Sequence, residues 1–204
     1  MKYGEVNFGQ TEALLNKIGG VEGMKKVLSG EWIVGPPSKV TSIKKSALRT
    51  ASKQILAGLL EEVGEPINLP AVERFVARDK WVVDRNGELS ISYLSPNIQK
   101  NFLDVVEENV PVVSLKQRKL LKSAVNRPII DAHGGEEKAK VAFAHVFEFL
   151  KTADRNRCFI FYVADAKGCV WAVTANWNGG SWYVGASSVS DPRKWSAGNH
   201  VVSR

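Results

Sequence analysis

The chain has 204 residues, with 28 Lys or Arg against 21 Asp or Glu, so its formal net charge is +7. Hydrophobic residues at 44% and charged residues at 24% make an ordinary globular composition, which excludes a disordered chain or a coiled coil. Two cysteines exclude a disulfide scaffold or a Cys-built zinc site, no apolar run reaches bilayer length, and Met1 to Glu5 lacks the apolar segment of a secretory signal, so a basic cytoplasmic protein with no membrane association is expected.

In chain order, Gln10 to Ile18 reads as a short helix stopped by Gly19-Gly20, and Val21 to Leu28 as a second stopped by Ser29-Gly30. Glu31 to Val34 is a candidate short strand, halted by Gly35-Pro36-Pro37, a linker into a longer helix from Val40 to Val63. In that helix Lys45, Arg49 and Lys53 recur at one-turn intervals, while Leu48, Ala51, Ile55 and Leu59 form a separate apolar stripe. Pro70 opens a short helix to about Ala77. Lys80 to Asp84 and Glu88 to Leu94 read as a hairpin around Arg85-Asn86-Gly87, because Asn and Gly both tolerate positive φ. Helices are expected over Asn97 to Glu108 and Leu115 to Val125, and Asp131 to Gly135 reads as a loop. Glu136 to Lys151 follows as one helix, with Ala139, Phe143, Val146, Phe147 and Leu150 on one stripe.

The last quarter alternates as β-structure. Cys158 to Ala164, Cys169 to Trp177 and Ser181 to Ser187 predict an antiparallel meander with turns at Asp165 to Gly168 and Asn178-Gly179-Gly180. Strand parity then puts Trp171, Val173, Ala175 and Trp177 on one face with Trp182, Val184 and Ala186, a wholly apolar core face. Eight of the 18 aromatics lie between Phe159 and Trp195; base stacking on an open sheet is one use for them, but no RNP pattern is present and a core role is expected. Cys158 and Cys169 bracket a hairpin at a separation of roughly 15–20 Å, too far for a disulfide, and read as small core residues. The expected fold is α+β: a helical N-terminal region (1–70) carrying the basic amphipathic helix, then an α+β domain (71–204) whose helices pack on the antiparallel meander.

The charge is segregated. Trp32 to Leu60 contains no acid but five bases, Lys39, Lys44, Lys45, Arg49 and Lys53; Asn109 to Ile130 contains no acid and another five, Lys116, Arg118, Lys119, Lys122 and Arg127. Bases spaced by one helical turn suit a phosphate backbone, where each displaces a counterion. The expected function is therefore a non-enzymatic binding protein contacting nucleic acid or a nucleoprotein through Lys44, Lys45, Arg49 and Lys53, with Lys116, Arg118, Lys119 and Lys122 second. An acidic protein surface is an alternative partner. A metal-dependent hydrolase or nuclease is another reading, using Asp131 and His133 with His145 from the next helix, since a His beside carboxylates can act as base or ligand. The spacing matches no zinc motif, no phosphate loop, Gly-x-Ser-x-Gly elbow or His-Glu-x-x-His occurs, and no cofactor or metal is expected.

Several segments carry a resemblance: Leu15 to Gly23, Leu28 to Trp32, Arg74 to Lys80, Ile91 to Leu94, Phe161-Tyr162-Val163 through Trp177 to Trp182, and Asp191 to Gly198. They look like an uncharacterised family of bacterial hypothetical proteins. The resemblance implies a bacterial, intracellular origin and assigns no residue a role.

Overall fold

The structure, a computed structural model, describes Asn16, residues 20–29 and residues 58–204. These fall into two units, one holding Gly20 to Ser29 and the other residues 58–204. In the first, helix α1 (Gly20–Leu28) has Glu22 in its first turn and Lys25 and Lys26 in its last, signs that complement the helix dipole. This is the helix expected over Val21 to Leu28. The expected helix at Gln10 to Ile18 (Asn16 apart), the strand at Glu31 to Val34 and most of the basic helix, with Lys44, Lys45, Arg49 and Lys53, lie outside the described residues.

The second unit is built mainly of strands, which corrects the expected fold class. In order it contains β1 (Leu60–Glu62), β2 (Ile67–Leu69), β3 (Val72–Val76), α2 (Ala77–Lys80), β4 (Ile91–Leu94), α3 (Pro96–Asn101), β5 (Val106–Val110), β6 (Val113–Leu120), α4 (Asn126–Ala132), α5 (Glu136–Ala139), α6 (Phe143–Thr152), β7 (Cys158–Ala164), β8 (Val170–Asn178), β9 (Ser181–Ser188) and β10 (His200–Ser203). Eight strands form one mixed sheet in the order β1-β6-β10-β7-β8-β9-β4, with β2 also on β6, and β3 and β5 make a separate two-stranded ribbon. The antiparallel strands β7, β8 and β9 are part of a wider sheet, because β10 adds parallel to β7 and β4 parallel to β9.

Residues 71–204 therefore do not carry the sheet alone. β1 and β2 run along the same edge of β6, so a boundary at 70 would separate them from the strand they pair with. The expected helix from Val40 ends in strand rather than helix, since Leu60 to Glu62 is β1. Pro70 opens a strand, Val72 to Val76, not a helix. Asn97 to Glu108 is a short helix followed by strand β5, and Leu115 to Val125 is mostly strand β6. Arg85-Asn86 does form a turn, with Ile91 N–H donating to the Asp84 carbonyl at 3.0 Å, but Lys80 ends a helix and β4 pairs with β9 instead of a hairpin partner.

Both sheet faces are covered, and strand alternation sorts the side chains between two cores. On one face Phe159, Phe161, Val173, Ala175, Trp182 and Val184 meet helix α6. Phe149 packs edge-on against Phe159 and Phe161, and Trp81 stacks on Phe143 with ring centroids 4.7 Å apart, the geometries aromatic quadrupoles favour. On the other face Ile160, Tyr162, Ala172, Val201 and Leu120 pack under α4 and α5, through Ile129, Ile130 and Ala139. The single helix expected from Glu136 is broken: Ala139 belongs to one core and Phe143 to the other, and Lys140 to Ala142 carry the chain between the faces. There Val141 N–H donates to the Tyr162 carbonyl at 2.9 Å, a sheet bond that no continuous helix could spare.

Helix α6 starts without a cap of its own, because Ala142 has no side-chain acceptor. Glu107 of β5 supplies one, its two carboxylate oxygens accepting the N–H groups of Phe143 (2.9 Å) and Ala144 (2.7 Å). Among the described residues no helix is long and apolar enough to cross a membrane.

Candidate functional site

Helix α4 positions the first expected site residue. It begins at Asn126, tolerates Pro128 in its first turn, and ends at His133, whose N–H reaches the Ile130 carbonyl at 3.1 Å. Gly134 and Gly135 follow with φ of 88° and 104°, values an L side chain resists, so the chain reverses sharply and leaves His133 turned onto the sheet. Asp131 and Ala132 are thus helical rather than part of a loop.

His133 is 8% exposed and sits over β6 and β10. Its Nδ1 lies 2.6 Å from Arg118 Nη1 and 2.9 Å from Ser203 Oγ, while Arg118 Nη1 also donates to Ser203 Oγ at 2.9 Å. A guanidinium has no acceptor, so Nδ1 must be the accepting nitrogen and the ring proton resides on Nε2. That Nε2–H is buried with no partner among the described residues. Burial first, and the Arg118 charge second, push the imidazole pKa down to about 4. His133 is therefore a neutral ring that accepts from a cation.

The other two expected catalytic groups are elsewhere. Asp131 pairs with Arg127, one turn earlier on α4, at 3.3 Å. His145 lies on α6, its Nε2 3.3 Å from the Pro70 carbonyl, and burial lowers its pKa. Among the described residues no group of three or more His, Cys, Asp or Glu is arranged to hold a metal ion.

The second basic window is not a helical stripe. Because it lies on a strand, Lys116 and Arg118 project to one face and Lys119 to the other. Register then sets acid against it: Glu62 pairs opposite Arg118 and Glu61 opposite Lys119. Lys116 bridges Glu62 at 2.9 Å, and Arg118 lies 3.8 Å from the same carboxylate with its side chain only 22% exposed. The Lys116 ammonium, through a hydrogen bond, holds the Glu62 carboxyl below the usual carboxylate range. Lys119 and Lys122 are exposed.

Sequence reasoning did not single out Asn126, which is 1% exposed and organises the same face. Its Oδ1 accepts from Trp195 Nε1 at 2.7 Å and from the Tyr162 hydroxyl at 3.2 Å, and its Nδ2 donates to the Ser188 carbonyl at 3.3 Å. Beside it lies a cavity of about 340 Å³, bounded by Thr174 and Gly185 on the sheet, Trp195 and Asn126 on one side, and Asp191, Arg193 and Lys194 at the rim. From the sequence Trp195 counts as one more core aromatic, and no local signal marks the polar groups around it. The two cysteines lie at opposite ends of the β7–β8 hairpin, Cys158 opposite Asn176, and Cys169 is exposed rather than core.

No protein-family model, no curated protein and no solved structure matches this chain.

Proposed function

We infer that the protein is a non-enzymatic binding protein in which the basic N-terminal part, through Lys44, Lys45, Arg49 and Lys53, contacts nucleic acid, and the sheet unit serves as a nearly neutral platform. The partition of charge carries this reading. Residues 1–57 hold nine bases against four acids, a net +5 of the total +7, whereas residues 58–204 hold 19 against 17. Ion pairing within the sheet unit moves Lys116 and Arg118 out of the expected contact set, since Glu62 lies against both. A hydrolase built on His133 has less support, because a base must be free to take a proton and this ring already accepts from Arg118.

The test is binding of the full chain to a short nucleic-acid duplex across a salt series. Reversing charge together at Lys45, Arg49 and Lys53 should weaken binding and reduce the log–log salt slope by about 2 to 3, one unit of about 0.9 for each lost phosphate contact. Replacing Lys116 and Arg118 by Gln should leave affinity and slope nearly unchanged. An unchanged slope in the triple variant refutes the reading; a slope that responds only to Lys116 and Arg118 moves the contact to β6.

A further inference from the structure

The cavity beside Asn126 has features that the proposed charge contact does not use. Its floor lies where Thr174 of β8 and Gly185 of β9 face each other in register. Gly185 lies outside the positive-φ region, so backbone conformation does not require glycine there; what glycine provides is space, since a Cβ at this position would come within 3.1 Å of Thr174 Oγ1. The hydroxyls of Thr174 and Ser187, both half-buried, line the cavity and make no hydrogen bond to another described residue. Each can donate and accept, which complements the hydroxyls of a ligand. The wall is preorganised, because Asn126 fixes the Trp195 indole through a 2.7 Å hydrogen bond.

The rim sets the charge. Arg193 is committed to Asp191, with Nε and Nη2 at 3.0 and 2.6 Å from the same carboxylate oxygen. That pair contributes no net charge. Lys194, next in the chain, has no ion-pair partner among the described residues, so one positive charge stands at the mouth. A carboxylate fixed beside it disfavours a ligand carrying more than one negative charge. The volume falls within the range of small-molecule sites.

From these features we propose that the cavity binds a small polyhydroxylated monoanion, of the size and chemistry of a sugar acid: hydroxyls against Thr174 and Ser187, the carboxylate at Lys194. This site is independent of the nucleic-acid reading, and either can fail without the other.

The experiment follows the Trp195 indole N–H resonance of the full chain, assigned by its loss in Trp195→Phe, during titration with glucuronate, glucose and glucose 6-phosphate. Glucuronate should give a saturable shift at millimolar concentration, with glucose and the dianionic phosphate weaker. Lys194→Met should remove the preference for glucuronate over glucose, about tenfold for one charge-assisted contact. Thr174→Val, which keeps the side-chain shape, should weaken both sugars, and Gly185→Ala should crowd the floor and weaken them as well. Absence of a saturable shift with glucuronate overturns the proposal. So does a shift equal in the parent, Lys194→Met and Thr174→Val proteins, which would mark adventitious binding elsewhere, or tighter binding of glucose 6-phosphate, which would refute the charge assignment.

Discussion

His133 makes the protein's stability depend on pH in a window where few other groups act. In the folded state its pKa is about 4, against 6.5 for a free histidine, because the ring is buried and Arg118 stands at its Nδ1. Between those values the unfolded chain binds a proton that the folded chain refuses, so unfolding takes up a proton and stability falls as pH falls. Above 6.5 both states are neutral and the effect vanishes; below 4 both are protonated and the loss is complete. The slope approaches about 1.4 kcal/mol per pH unit, and between pH 7 and pH 5 the loss is about 2 kcal/mol. With the residue 8% exposed, solvent screening removes little of this. The assay is urea unfolding from pH 7 down to about pH 5, comparing the parent with His133→Asn, whose oxygen can still accept from Arg118. Burial also lowers the pKa of His145 and His200, but both contribute equally to the two proteins and cancel in the difference. The variant should be the less stable at pH 7, through lost packing, yet should lose about 2 kcal/mol less on acidification. Equal pH slopes in the two proteins would show that His133 protonates freely in the folded state and would refute the tautomer assigned from Arg118.

Two further changes test the arrangement around the sheet. Asn126→Leu should cost about 1–3 kcal/mol in urea unfolding, because it removes the acceptor of the Trp195 indole N–H and leaves the Tyr162 hydroxyl only the backbone carbonyl of residue 126, at 3.5 Å; a loss no larger than that of an exposed substitution would contradict the buried network. Glu107→Gln should cost about 1–2 kcal/mol, since one amide oxygen replaces two carboxylate oxygens facing the N–H groups of Phe143 and Ala144. Hydrogen exchange at those two amides is the direct readout, and unchanged protection would mean that Glu107 does not cap α6.

What could be read from the sequence divides by the range of the interactions that decide it. The strands β7 to β9 are legible because Trp171, Val173, Ala175 and Trp177 recur at every second position and Asn178-Gly179-Gly180 marks the turn; Gly179 and Gly180 do adopt φ of 57° and 86°. α1 is legible from its two bounding glycine signals. β6 is not: Leu115, Lys119 and Lys122 also satisfy a helical spacing, and the choice of strand is made by β1 and β10, which arrive from residues 60–62 and 200–203. The break in Glu136 to Lys151 is likewise set from a distance, by the Tyr162 carbonyl. His133 stood out as a candidate, but its chemistry depends on Arg118 and Ser203, which are 15 and 70 residues away.

The same principle decides how a charge run should be weighed. On a strand, a base meets whatever the neighbouring strand puts at the paired position, and here that is Glu61 and Glu62. The window from Asn109 to Ile130 is free of acid along the chain and is not free of acid in space. Lys116 and Arg118 share the Glu62 carboxylate, and Arg127 pairs with Asp131, so the field of this window is smaller than its five bases suggest. The greater part of the net charge lies upstream of residue 58, which is why the proposed contact is tested by the triple reversal at Lys45, Arg49 and Lys53.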